Sequence, residues 1–329
     1  MRLKSGCTLI LIAITIIWQS CTYDTNIPLQ NHEPECNFSQ IEKTLQYPDS
    51  VICTLSIKDM NDRFLKLSIT DTDGQFEDNW PGTFKFLNND YGNKRVVLFD
   101  SRSEMGFFSG ILRLTDYHEG VTSLNYNITK VFKESFASYP LDTCRWKLYA
   151  KSDTSVISYD FMDKKLMFLF GAEDSASLSA GIRSVFAISS DFHSSVNFKL
   201  RDDMSDGFEA SFFVSTSPDT GKWSGKVAGV FIAGNAGRLR LTCKSIDFQI
   251  QSKEIELYSG ELTLKRTGNI LQYSFHDGNP QSEVLPLAEY TFIPDTGLYV
   301  HLRMKVDECS RIRSCSWKNF TVQSGTLNF

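Results

Sequence analysis

Apolar and polar residues alternate along most of this chain with a period of two. Val51, Cys53, Leu55 and Ile57 share one face of an extended segment, and Leu65, Leu67 and Ile69 share another. Phe84 with Phe86, Leu112 with Leu114, and Leu124, Tyr126 and Ile128 repeat the pattern. Turn chemistry punctuates these runs at Asp73-Gly74, Pro81-Gly82, Tyr91-Gly92-Asn93 and Glu119-Gly120. Short half-buried strands at this spacing over residues 36–130 predict a small sandwich of immunoglobulin-like type.

A boundary is expected near Thr129 to Glu134, and residues 131–329 are richer in strands still. Val196, Phe198 and Leu200 alternate, as do Phe208, Ala210, Phe212 and Val214. In LYVHLRMKV, Leu298, Val300, Leu302, Met304 and Val306 form an apolar face, and Tyr299, His301, Arg303 and Lys305 the opposite one. Gly268-Asn269 separates two alternating runs, Glu261 to Arg266 and Ile270 to His276, which is a strong hairpin signal. About 200 residues of antiparallel strands exceed one immunoglobulin-type module and suit a jelly roll of two stacked sheets. The predicted fold class is therefore all-β, with no long amphipathic helix.

The first 21 residues break this pattern. Arg2 and Lys4 open the chain, Thr8 to Trp18 (TLILIAITIIW) is an apolar run without a charge, and Ser20 precedes Cys21. The layout resembles a bacterial lipoprotein export signal, and the run is short of the roughly 20 residues that span a bilayer. Trp18 and Gln19 depart from the usual residues before the lipidated cysteine, as the looser signals of the Bacteroides group do. The expectation is cleavage after residue 20, lipidation of Cys21 and a cell-envelope location at the outer membrane or cell surface. Residues 21–35 carry Pro28 and Pro34 and read as a tether.

The formal charge of −5 becomes more negative once Arg2 and Lys4 are removed, and an acidic chain has no electrostatic footprint for nucleic acid. Beyond Cys7 and Cys21, the cysteines are Cys36, Cys53, Cys144, Cys243, Cys309 and Cys315, and an oxidising compartment permits disulfides among them. Cys309 with Cys315 and Cys36 with Cys53 are the candidate pairs by proximity, while Cys243 alternates with Leu239 and Leu241 and reads as a buried thiol.

Several segments, in order, carry a resemblance: FKESFASYPLDTCRW, DGFEASFFVS, KVAGVFIAG, GELTLKRTGNILQYSFHDG and the closing WKNFTVQSGTL. The Arg266-to-Asn269 hairpin, the SFHDG after it, and Asn319-Phe320 near the end are its most specific parts. Together they resemble bacterial members of the concanavalin A-like lectin/glucanase superfamily over Val131 to Phe329. The resemblance implies a curved two-sheet sandwich whose concave face often binds or cleaves glycans.

Hydrolases of that superfamily often present Glu-x-Asp-x-Glu on one strand, and no Glu here is followed two residues later by Asp. Glu254, Glu256 and Glu261 are the nearest approach and also read as the solvated face of a strand. There is no G-x-S-x-G elbow, and the five histidines show no metal-ligand spacing. Asp202, Asp203 and Asp206 offer hard oxygen ligands for calcium, although Asp and Gly are equally the residues of ordinary turns. No other cofactor is indicated. Trp223, in a loop between two strands, is the candidate aromatic platform for a sugar, and the Tyr299, His301, Arg303 face is a ligand surface if it lines the concave sheet. Trp146 and Trp317 read as core. Non-catalytic carbohydrate binding is the first reading. A divergent glycosidase with carboxylates from separate strands and an interaction module without a small ligand are the alternatives.

Overall fold

The computed structural model describes residues 104–115, 119–136, 141–150, 157–160, 163–170, 178–201, 207–218, 227–235, 238–247, 249–291, 296–307 and 312–329. It also describes short strands at 35–38, 42–46, 52–58, 64–71, 84–87 and 92–97. All regular structure among them is β-strand. The chain divides into two compact units: residues 1–39, 53–96 and 111–125, and residues 40–52, 97–110 and 126–329. Residues 1–34, which carry the expected export signal, Cys21 and all but the last residue of the expected tether, lie outside the described residues.

The early strands are β1 (Glu35–Phe38), β2 (Glu42–Gln46), β3 (Ile52–Lys58), β4 (Phe64–Asp71), β5 (Phe84–Leu87), β6 (Gly92–Val97), β7 (Glu104–Thr115) and β8 (Val121–Glu134). In the first unit β1, β3 and β6 form a three-stranded sheet, and the immunoglobulin-like expectation otherwise concerns side chains outside the described set. In the β1–β3 register Cys36 stands opposite Ile57, and the side chains of the candidate pair Cys36 and Cys53 lie outside the described set.

The second unit carries β9 (Trp146–Ala150), β10 (Ile157–Asp160), β11 (Lys165–Phe170), β12 (Leu178–Leu200), β13 (Phe208–Ser215), β14 (Val227–Asn235) and β15 (Arg238–Lys244). It continues with β16 (Ile250–Ile255), β17 (Ser259–Thr267), β18 (Ile270–His276), β19 (Leu285–Thr291), β20 (Leu298–Val306) and β21 (Arg313–Asn328). These strands make two antiparallel sheets. Sheet A runs β9-β12-β20-β13-β14-β15-β16. Sheet B runs β19-β18-β17-β12-β21-β11-β10. The N-terminal half of β12 belongs to sheet A and its C-terminal half to sheet B.

Strand β12 can serve both sheets because it is interrupted twice. Arg183 faces His301 and Ala187 faces Tyr299, so β12 spends two more residues than β20 across this step. The buried Ser184 hydroxyl repairs the ladder there, donating to the Phe186 carbonyl at 2.6 Å and accepting from the Val300 amide at 2.9 Å. Farther along, Ser190 adopts φ +63° at the corner between Ile188 and Phe192. Gly325 (φ +118°) closes against that corner, where a Cβ would meet Phe192 Cβ at 2.8 Å and Ile188 Cγ2 at 3.1 Å.

The inner faces of the two sheets form one core. Phe212 of sheet A meets Phe320 of sheet B edge-on at 6.3 Å between centroids, and Trp146 meets Phe320 at 5.3 Å. Each such buried side chain contributes roughly 1.5–3 kcal/mol. At the far edge Tyr273 of β18 donates its hydroxyl to the Lys244 carbonyl of β15 at 2.8 Å, tying sheet B to sheet A. Cys243 is buried beside it, as its alternation predicts, and burial pushes its thiol up to about 12. Cys315 is also a free buried thiol on the core face of β21, and its candidate partner Cys309 lies outside the described residues.

Candidate functional site

Strand β20 begins and ends where the alternation predicts, and its polar side chains project from the outward face of sheet A. That face is not an ordinary solvated surface. Phe213 and His301, both pointing away from the core, are 0% and 1% exposed. They stack face to face at 4.6 Å with their planes 3° apart, and Phe231 continues the stack beyond Phe213 at 5.7 Å. The Arg303 guanidinium sits over Phe213 at 5.6 Å, and Lys244 Nζ lies over Phe231 at 4.4 Å. Neighbouring strands supply this row: His301 from β20, Phe213 from β13 and Phe231 from β14.

Tyr149 and Arg183 extend the row on the other side of β20. Gly181 stands between Tyr149 of β9 and Arg303 of β20 in the register, and the tyrosine ring lies where Gly181 has no side chain. A Cβ there would come within 2.5 Å of Tyr149 Cζ and Oη. Tyr149 meets His301 edge-on at 6.0 Å, while the Arg183 guanidinium covers the half-buried Tyr299 ring at 5.7 Å. Thus Tyr299, His301 and Arg303 are brought together on one surface. Tyr149, Arg183, Ser211, Phe213 and Glu209 join them. These five were hidden from sequence reading because an outward polar residue looks the same on either sheet until the pairing is known.

Electrostatics fix the state of this surface. Burial, then the Arg183 and Arg303 charges, lower the His301 pKa to about 3, so its ring is neutral at ordinary pH. Ser215 Oγ lies 2.8 Å from the Ser217 carbonyl, which can only accept, and 2.7 Å from His301 Nε2. The single hydroxyl hydrogen goes to the carbonyl, so Nε2 carries the imidazole hydrogen. Burial raises the Tyr149 phenol despite the opposing pull of Arg303 and Arg183, keeping it protonated and able to donate. Tyr149 Oη, Arg183 Nε and Ser211 Oγ are among the buried polar atoms of this face that have no hydrogen-bond partner among the described residues. Leaving such a group unsatisfied costs about 1–3 kcal/mol.

Among the described residues the face holds few carboxylates. Glu209 pairs with Arg303, and the next along the register, Glu254, lies three strands away on β16, about 14 Å at ~4.8 Å per strand. Glycoside hydrolysis by a carboxylate pair uses separations of about 5–9.5 Å. Glu254 and Glu256 are exposed and engage Arg238 and Arg240, and Glu261 belongs to the opposite sheet, so these three glutamates do not form a cluster. Trp146 and Trp317 are fully buried, in keeping with the core reading. Trp223 and the calcium candidates Asp202, Asp203 and Asp206 lie outside the described residues, among which no group of three or more His, Cys, Asp or Glu could hold a metal.

A second, open groove of about 820 Å³ lies on the outward face of sheet B, lined by His193, Glu261, Lys265, Gln272 and His276 among others. Several of its polar groups already satisfy one another. Gln272 Nε2 donates to Glu289 at 2.8 Å, and His276 accepts the Gly278 amide at Nδ1 and contacts the Ser282 carbonyl through Nε2. The unsatisfied donors of the sheet A face make it the better ligand surface.

No protein-family profile matches the chain, and no curated protein matches it. Among solved structures it is similar to a glycoside hydrolase family protein from Mycobacterium thermorestibile, with 13% identity and a TM-score of 0.45 over 58% of this chain and 99% of that one. A structure described with endo-acting O-glycanases of the human gut microbiota that initiate mucin breakdown gives 12% identity and a TM-score of 0.45, over 59% of this chain and 98% of that one. The exoplasmic/lumenal domain of VIP36, in a Ca²⁺/Man3GlcNAc-bound form, gives 10% identity and a TM-score of 0.42, over 58% of this chain and 88% of that one. Likenesses this distant carry no residue roles.

Proposed function

We propose that this protein binds carbohydrate without cleaving it, through the outward face of sheet A, on a lipoprotein tethered at Cys21 to the outer membrane or cell surface. One observation carries the binding proposal: a rigid stacked floor of His301, Phe213 and Phe231 is overlaid by half-buried Tyr299, Arg183 and Arg303, with unsatisfied donors at Tyr149, Arg183 and Ser211. Sugars offer apolar C–H faces and many hydroxyl oxygens, and a preformed apolar surface with a few fixed donors suits both. Spacing of the described carboxylates supports binding over hydrolysis, and Trp223 is proposed to add stacking surface.

Glycan-array binding of the chain from Cys21 onward tests this proposal. Binding to a glycan class is expected, with Tyr299→Ala and Trp223→Ala each weakening it several-fold. Reducing-sugar release from a polysaccharide panel would instead establish the divergent glycosidase. For the anchor, metabolic labelling with radioactive palmitate should mark the wild type and spare Cys21→Ala, and equal labelling of both would exclude lipidation there.

A further inference from the structure

We infer that the ligand of the sheet A face is an acidic saccharide, one bearing a carboxylate or sulfate, with Arg183 as its anion contact. The inference rests on the binding proposal above and adds the charge of the sugar. Two arginines from adjacent strands, Arg183 of β12 and Arg303 of β20, flank the neutral His301. Their chemistry differs. Arg303 already has a carboxylate partner in Glu209. Among the described residues Arg183 has none, and it rests on the Tyr299 ring with its Nε buried and unbonded.

An uncompensated, partly desolvated guanidinium is a strong anchor for an anion, since it donates in a planar fork that matches carboxylate and sulfate oxygens. Two further buried donors without partners lie on the same face. The Tyr149 hydroxyl is held protonated over Gly181 and within the field of both arginines, and the Ser211 hydroxyl stands beside Arg303 in the register. An incoming oxyanion would accept from Arg183 and from the Tyr149 hydroxyl beside it, whereas a neutral sugar hydroxyl would leave the Arg183 charge uncompensated. The positive character is local, because the chain as a whole carries a formal charge of −5.

Titration calorimetry with three probes tests the inference: an oligogalacturonate, the same oligosaccharide after carboxyl reduction, and a sulfated galactan oligosaccharide. The oligogalacturonate or the sulfated oligosaccharide should bind at least tenfold more tightly than the reduced one, and which of the two prevails distinguishes the sources of the charge. Arg183→Gln should erase the preference, Arg183→Lys should restore part of it, and Tyr149→Phe should weaken acidic binding several-fold. Circular dichroism and melting temperature establish that each variant is folded. Should Arg183→Gln fail to fold, the Tyr149→Phe and Arg183→Lys arms decide. Equal affinity for charged and reduced probes would overturn the inference while leaving carbohydrate binding intact. An acidic preference untouched by the Arg183 and Tyr149 variants would overturn its placement. If none of the probes binds and the glycan array is also blank, both proposals fall.

Discussion

Gly181 matters for the side chain it lacks. The Tyr149 ring fills the place of a Cβ, so Gly181→Ala must push the tyrosine off the face or spread β9 from β12. Overpacking of this kind costs about 1–3 kcal/mol. A lowered melting temperature together with weaker ligand binding is expected, and an unchanged protein would show that Tyr149 is not held there. His301 makes a second residue-scale prediction. With its folded pKa lowered to about 3, the ring should remain a neutral Nε2–H tautomer at pH 5, observable by nitrogen-15 NMR of the imidazole. A titration midpoint near 6.5 would contradict this. The folded value lies below the unfolded one, so the associated stability is complete above about pH 6.5. It declines by at most ~1.4 kcal/mol per pH unit as pH falls toward 3.

Among the elements, the β17–β18 hairpin shows how a sequence motif becomes structure. Thr267 and Ile270 pair across the two-residue loop Gly268-Asn269, with Gly268 at φ +57°. Arg266 Nε donates to the Gly268 carbonyl at 3.0 Å, and Asp191 Oδ1 from the β12 corner accepts the Gly268 amide at 2.7 Å. Asp191→Ala should remove about 1 kcal/mol and lower the melting temperature by roughly 2–4 °C, and no shift would mean the tip needs no anchor. The hairpin and β20 were legible because their alternation is unbroken and their turn residues are specific. Strand β12 was legible only at Val196, Phe198 and Leu200. Its step between Arg183 and Ala187 and its corner at Ser190 reset the period, so one strand of 23 residues reads as fragments. The same limit hid the proposed ligand face. Tyr299, His301 and Arg303 were singled out from one strand, whereas Tyr149, Arg183 and Ser211 join them only through cross-strand registers that no local pattern encodes.

At the level of the whole molecule, side-chain bonds outside the strand ladders help to hold the second unit together. The carboxylate of Glu134, at the end of β8, accepts the Phe136 amide at 3.0 Å and the Trp146 indole at 3.4 Å, and lies 3.6 Å from Arg145. Replacing it by alanine would strand a buried indole N–H and an amide, and a loss of about 1–3 kcal/mol in denaturant unfolding is expected. A change under a few tenths would show that water substitutes for the carboxylate. Period-two alternation announced an all-β body because it recurs in nearly every segment; the proposed binding surface depends on which sheet each outward residue joins. Binding of a glycan array by wild type, Tyr299→Ala and Gln272→Ala tests that surface most directly. The wild type should bind at least one glycan class, Tyr299→Ala should lose several-fold, and Gln272→Ala, in the groove of sheet B, should match the wild type. No binding by the wild type, or a loss confined to Gln272→Ala, would contradict the assignment of the ligand to sheet A.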